Sequence, residues 1–114
     1  MSAGAYDMTC EQGATFSRTL TVADSSGVAR DFSTYTARMH VRRTTASAST
    51  LIELTTENGR LSLNASGDIT LMLTALETAA LAEGGVYDLE LVDSSGSVER
   101  VVKGLFILDL EVTR

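Results

Sequence analysis

The sequence predicts an all-β fold: an immunoglobulin-like Greek-key β-sandwich of about seven to nine short strands, with one short connecting helix near residues 75–82. Three observations carry this. Apolar and polar residues alternate with period two along most of the chain, the pattern of half-buried strands. Turn signals such as Gln12-Gly13, Asp24–Gly27, Asn64–Gly67 and Asp93–Gly96 lie between these runs, and one short strand recurs about every 10–12 residues, as in a sandwich. Thr, Ser, Val and Leu are plentiful while Pro and Trp are absent, a composition that suits pleated, half-buried surfaces. At 114 residues the chain reads as one domain, 1–114, long enough to bury roughly two thirds of its unfolded surface without metal or disulfide.

Taken in order, Tyr6, Met8 and Cys10 alternate with Asp7 and Thr9 as a first strand, with Cys10 facing inward. Ala14 to Ala23 follows, with Phe16, Leu20 and Val22 on one face; Arg18 interrupts that face and calls for a bulge or an edge position. Asp24-Ser25-Ser26-Gly27 is a turn, because Asp and Ser cap backbone amides and Gly accepts positive φ. Val28 to Thr34 reads as a short edge segment. In the better strand Tyr35 to Arg43, Tyr35, Ala37, Met39 and Val41 share one face, and Thr36, Arg38, His40 and Arg42 the other.

The small polar run Thr44 to Thr50 reads as a mobile loop, and Leu51 to Thr55 as a brief strand. Arg60–Leu63 and Asp68–Thr74 form a hairpin, with Leu61 and Leu63 facing Ile69, Leu71 and Leu73. Thr74 and Glu77 have capping-box spacing ahead of an Ala-rich run, and Gly84 or Gly85 is expected to end that helix in a left-handed conformation.

A strand from Tyr87 carries Leu89 and Leu91 on one face, Asp88 and Glu90 on the other. After the second Asp-Ser-Ser-Gly turn a return strand covers Ser97 to Lys103. Phe106, Leu108, Leu110 and Val112 make a separate last strand. Tyr87, just after a helical corner, reads either as the tyrosine that immunoglobulin-like folds bond back to upstream backbone or as an ordinary core tyrosine; in either case Leu89, Leu20 and Met39 take the central core positions of a disulfide-free version.

The formal net charge of −6 and pI near 4.6 set nucleic acid aside as a partner, since phosphate backbones attract the opposite sign. One cysteine, Cys10, permits no internal disulfide. The start MSAGAYDMTC has no basic region followed by an apolar run, so no signal peptide is expected. No apolar stretch approaches the ~20 residues of a membrane span, so no membrane partner is expected either.

Catalytic constellations are weak. The lone His40 lies between Arg38 and Arg42 on an outward face, and no Gly-x-Ser-x-Gly elbow accompanies it. One Cys and one His thirty positions apart make no zinc site. Asn64, Ser66 and Asp68 resemble calcium ligands only loosely and read as a turn. Asp88 and Glu90 lie ~7 Å apart along one strand; Arg38, His40 and Arg42 on the adjoining strand are expected to pair with them across the sheet. The expectation is a protein that is not an enzyme, with no catalytic residue, no metal and no cofactor.

Three stretches carry a family resemblance: EQGATFSRTLTV, DFSTYTARMHVRR and VYDLELVDSSGSVERVVKGLFIL. The second resembles a DLTGYTARMQIR pattern, with Phe32 and Ser33 standing in place of Leu and Thr. Together, over Glu11 to Arg114, they resemble small tail-region structural proteins of tailed bacteriophages, akin to the immunoglobulin-like N-terminal module of baseplate upper proteins. The resemblance implies a virion component made in the bacterial host cytoplasm, present in multiple copies and binding other virion proteins in the tail or baseplate. A capsid-decoration protein and a small soluble regulatory or host-interaction protein are the alternatives. Open sheet edges pair with other chains unless shielded, so the terminal segments Gly4–Cys10 and Leu108–Arg114, with the Thr44–Thr50 loop, are expected to carry the contacts. The named interface residues are Tyr6, Met8, Thr44, Thr45, Ser47, Leu110 and Val112.

Overall fold

A computed structural model describes residues 4–113. The strands are β1 (Gly4–Ala5), β2 (Met8–Glu11), β3 (Phe16–Thr21), β4 (Thr36–Arg42), β5 (Ile52–Thr55), β6 (Leu61–Leu63), β7 (Asp68–Leu73), β8 (Gly85–Val92) and β9 (Val98–Asp109), with α1 at Ala75–Ala79. One sheet runs β1-β9-β8-β4-β5, with β2 also on β9; the second runs β3-β7-β6. The chain changes sheets after β2, after β3, after β5 and after β7, the last time through α1. This is an all-β sandwich, with β4, β8 and β9 in one layer and β3, β7 and β6 in the other.

Alternation decides what is buried. Met39, Leu89, Leu91, Leu54 and Phe106 project inward from the larger sheet onto Phe16, Leu61, Ile69, Leu71 and Leu73 of the smaller one. Phe16 and Phe106 meet edge to face, their centroids 5.7 Å apart. Leu20 is only partly buried. The two Asp-Ser-Ser-Gly turns have one geometry: Asp24 Oδ1 accepts from the Ser26 and Val28 amides, and Asp93 Oδ1 from those of Ser95 and Ser97. The serine hydroxyl and these amides hold both aspartates below the usual carboxylate range.

Several expectations are corrected. Residues 98–109 form one strand, because Gly104 pairs with Tyr87 inside the ladder and is not a turn. Leu89 pairs with Val102 and Glu90 with Arg100, leaving Val101 as the extra residue of a bulge. That bulge is why the alternation softened at Val101.

The last strand ends at Asp109, three residues short of Val112; beyond it the Glu111 amide turns to Gln12 Oε1. Its expected final residue, Arg114, lies outside the described residues, as do Met1 to Ala3. Helix α1 is shorter than expected and ends at Ala80 in the right-handed region. Gly84 and Gly85 are needed for closeness and not for capping: a Cβ would come within 2.2 Å of the Phe106 carbonyl at the first and 2.0 Å of the Arg42 carbonyl at the second. Val28–Thr34 contributes only the isolated Ala23–Ala29 bridge to a ladder. Arg30 secures that segment, with Nη1 and Nη2 at 3.0 and 2.9 Å from the Glu99 carboxylate and its guanidinium over Phe32.

The terminal segments are not two free edges. β1 and β2 pair in parallel with β9, so Gly4–Cys10 is largely satisfied within the domain, while of Leu108–Arg114 only Leu108 and Asp109 join that ladder. The edge position expected from Arg18 is present, since β3 borders its sheet. From there the Arg18 guanidinium donates to the carbonyls of Ser17 and Thr9, closing the seam between the sheets.

Candidate interaction surface

The outer face of the larger sheet is a grid set by strand register. Arg38 on β4 lies opposite Glu90 on β8, and Glu90 opposite Arg100 on β9. One row on, His40 lies opposite Asp88, and Asp88 opposite Lys103. The expected pairing of Arg38, His40 and Arg42 with the Asp88–Glu90 strand is therefore present, as a central acidic line between two basic ones. Arg38 Nε sits 2.8 Å from Glu90 Oε1, and Arg100 Nε 3.4 Å from Asp88 Oδ2.

His40 departs from the expected pairing. Its Nε2 lies 2.8 Å from Glu53 on β5, while its Nδ1 is 3.2 Å from an Arg42 nitrogen. A guanidinium can only donate, so Nδ1 accepts and Nε2 carries the proton given to Glu53. Neither ring nitrogen is turned to a hydroxyl or thiol. Each carboxylate of Asp88 and Glu90 faces a guanidinium and not the other carboxylate. The arrangement finishes a sheet surface and offers charge to a partner; it does not assemble a base beside a nucleophile.

Below the charged rows the face turns apolar, where Val86 lies opposite Leu105. An open hollow of ≈ 590 Å³ runs from the charged rows at Arg38, Asp88 and Glu90 to Ala5, Val86 and Leu105, with Thr45 at its side.

The seven expected interface residues divide. Met8 is 2 % exposed. It lies in the core opposite Phe106, so it cannot choose a partner as expected. Tyr6 is 39 % exposed and sits in the kink between β1 and β2. Thr44 and Thr45 are exposed and Ser47 half-buried. Their loop is fastened: Ser47 Oγ accepts the Thr44 amide, and Arg42 Nη1 donates to the carbonyls of Ser47 and Ala48. Leu110 and Val112 are 62 % and 91 % exposed, on a segment that is not a strand. The structure thus brings Thr45 to the hollow and leaves Leu110 and Val112 at the end of β9.

Other features escaped sequence reasoning. Gln12 joins three elements, donating from Nε2 to the Leu81 carbonyl and accepting the Glu111 amide. Thr78, fully buried, donates to the Ala14 carbonyl and accepts the Gly13 amide. Neither has a periodic signal, because each acts through contacts more than sixty residues apart in sequence. Cys10 is buried, and desolvation pushes its thiol up, away from the reactive thiolate. At Asn64–Asp68, Asn64 Oδ1 accepts the Ser66 and Asp68 amides, which makes this a turn. Among the described residues no three His, Cys, Asp or Glu side chains gather as a metal site. Comparison with models of known protein families gives no match, and comparison with curated proteins gives none either.

Proposed function

We propose that this chain is a non-enzymatic structural component of a tailed-bacteriophage particle that binds other virion proteins in the tail or baseplate region. The observation that carries the reading is open apolar surface along one element: Leu105 and Ile107 on the outer side of β9, then Leu110 and Val112 beyond its end. Large apolar side chains exposed together beside charged rows mark a protein-binding surface more than a chemical one. The three stretches that resemble phage tail proteins supply β3, β4, β8 and β9, the frame on which that surface is built. Met8 is withdrawn from the expected contact set, and Leu105 and Ile107 take its place. Mass spectrometry of purified particles tests the reading. Recovery of the chain in several copies per particle supports it, with cross-links to tail or baseplate proteins expected; its absence from intact particles overturns it.

A further inference from the structure

Down the outer side of β9 stand Lys103, Leu105, Ile107 and Asp109, all exposed and ~7 Å from one to the next. The order is basic, apolar, apolar, acidic. Both ends are extended: Arg100, earlier on β9, and Arg38 on β4 lie one row beyond Lys103, and Glu11 on β2 lies beside Asp109.

The charges of the strip itself, Lys103 at one end and Asp109 with Glu11 at the other, form no ion pair among the described residues, whereas Arg38 and Arg100 are paired with Glu90 and Asp88. Among the described basic residues, Arg30, Arg38, Arg43, Arg60 and Arg100 each meet a carboxylate, and Arg18 and Arg42 donate to backbone carbonyls. Lys103 makes neither kind of contact there. Glu11 and Asp109 stand side by side with no cation paired to them among the described residues, a like-charge pairing that disfavours the strand pair unless a positive group reaches it.

Read in reverse, the strip is its own complement. We propose that this face docks a second copy of the chain, forming a two-fold dimer in which β9 lies antiparallel over β9. An axis between the two sheets, crossing the strands at Phe106, sets Lys103 over Asp109 and Glu11 of the second copy, and Leu105 over Ile107. Each contact occurs twice, as an isologous interface requires. The hollow beside Val86 and Leu105 receives Ile107 of the second copy. A foreign partner would need to match one end of the strip; a second copy matches both at once.

The contact is small and partly polar, so association is reversible and weakens with salt. The inference deepens the reading of a multi-copy subunit, yet it is tested on the isolated chain. Sedimentation velocity across a concentration series is expected to show a monomer–dimer equilibrium. Lys103→Glu and Asp109→Lys should each weaken dimerisation at least about tenfold, because both copies of the contact become repulsive. Mixing the two variants should restore association, since opposite charges then face each other at both ends; circular dichroism melting verifies that each variant is folded. A wild-type chain that stays monomeric at its highest soluble concentration overturns the proposal. So does a dimer that neither variant weakens, or a mixture that does not associate. A monomeric chain found in particles would sink the dimer and leave the virion reading standing; a dimer absent from particles would do the opposite.

Discussion

The Tyr87 hydroxyl donates to the carbonyl of Tyr6, 81 positions earlier in the chain. Gly104, the ladder partner of Tyr87, makes this possible: a Cβ there would lie 2.2 Å from that same carbonyl. Immunoglobulin-like folds use a tyrosine at this corner to bond a few residues upstream. Here the same position ties the start of β8 to the N-terminal segment, across β9.

Tyr87→Phe keeps the buried ring and loses one hydrogen bond. It should lower unfolding free energy by roughly 0.5–1.5 kcal/mol, read from denaturant midpoints at unchanged slope. Tyr87→Ala adds a cavity and should cost ~3–5 kcal/mol. A Phe variant as stable as wild type would mean the Tyr6 carbonyl is equally well served by water.

The same hydroxyl gives an alkaline signature. Burial, then the neighbouring Tyr6 and Asp7, push its pKa well above the ordinary 10.0. Above that ordinary value the unfolded chain releases the proton while the folded chain keeps it, so stability falls as pH rises. Between pH 10 and 12, wild type should lose stability more steeply than Tyr87→Phe, which has no proton to lose there. Parallel curves would count against a buried, protonated hydroxyl.

Much of this fold was legible because period-two alternation and turn chemistry are local. The Asp24 and Asp93 turns, the Leu61–Leu71 hairpin pairing and the Arg38–Glu90 cross-strand pair all follow from spacing alone. What was not legible depends on distant backbone. Gly84, Gly85 and Gly104 resemble punctuation in the sequence, yet each is small because the carbonyl of a distant segment passes close by. Met8 resembled an edge residue because nothing local announces that β2 will lie parallel to β9. The candidate face was half legible: its charge rows follow from alternation, while the placement of Leu105 and Ile107 needed the bulge at Val101.

Helix α1 rests on its first turn. The Thr74 hydroxyl accepts the Glu77 amide, and Glu77 returns the bond to the Thr74 amide while pairing with Arg60. The Thr74 amide first, then Arg60 and the Thr74 hydroxyl, hold the Glu77 carboxyl below its ordinary 4.5. A depressed carboxylate stabilises above its unfolded pKa and loses that contribution as pH falls through its folded value. Thr74→Ala should cost ~1 kcal/mol at neutral pH. Glu77→Gln should flatten the acid limb of stability below about pH 4.5. An acid limb unchanged by Glu77→Gln would show that other carboxylates control it.

Removing residues 1–7 tests the N-terminal segment most directly. If Gly4–Cys10 only carried contacts to other chains, the truncated domain would stay folded and merely fail to assemble. The structure changes that outcome, because residues 4–7 do internal work. Gly4 and Ala5 pair with Val102 and Lys103, Tyr6 gives its carbonyl to Tyr87, and Asp7 Oδ1 accepts the Leu105 amide. Truncation leaves the Tyr87 hydroxyl without its acceptor at a buried ring and bares the edge of β9. Each orphaned buried polar group costs ~1–3 kcal/mol, so the truncated chain should melt well below wild type while keeping its β-sheet spectrum. Adding Tyr87→Phe to the truncation should then cost little, since the bond is already gone; a double-mutant cycle measures the coupling. If truncation and Tyr87→Phe add independently, the Tyr87–Tyr6 bond is not what holds the N-terminal segment to the sandwich.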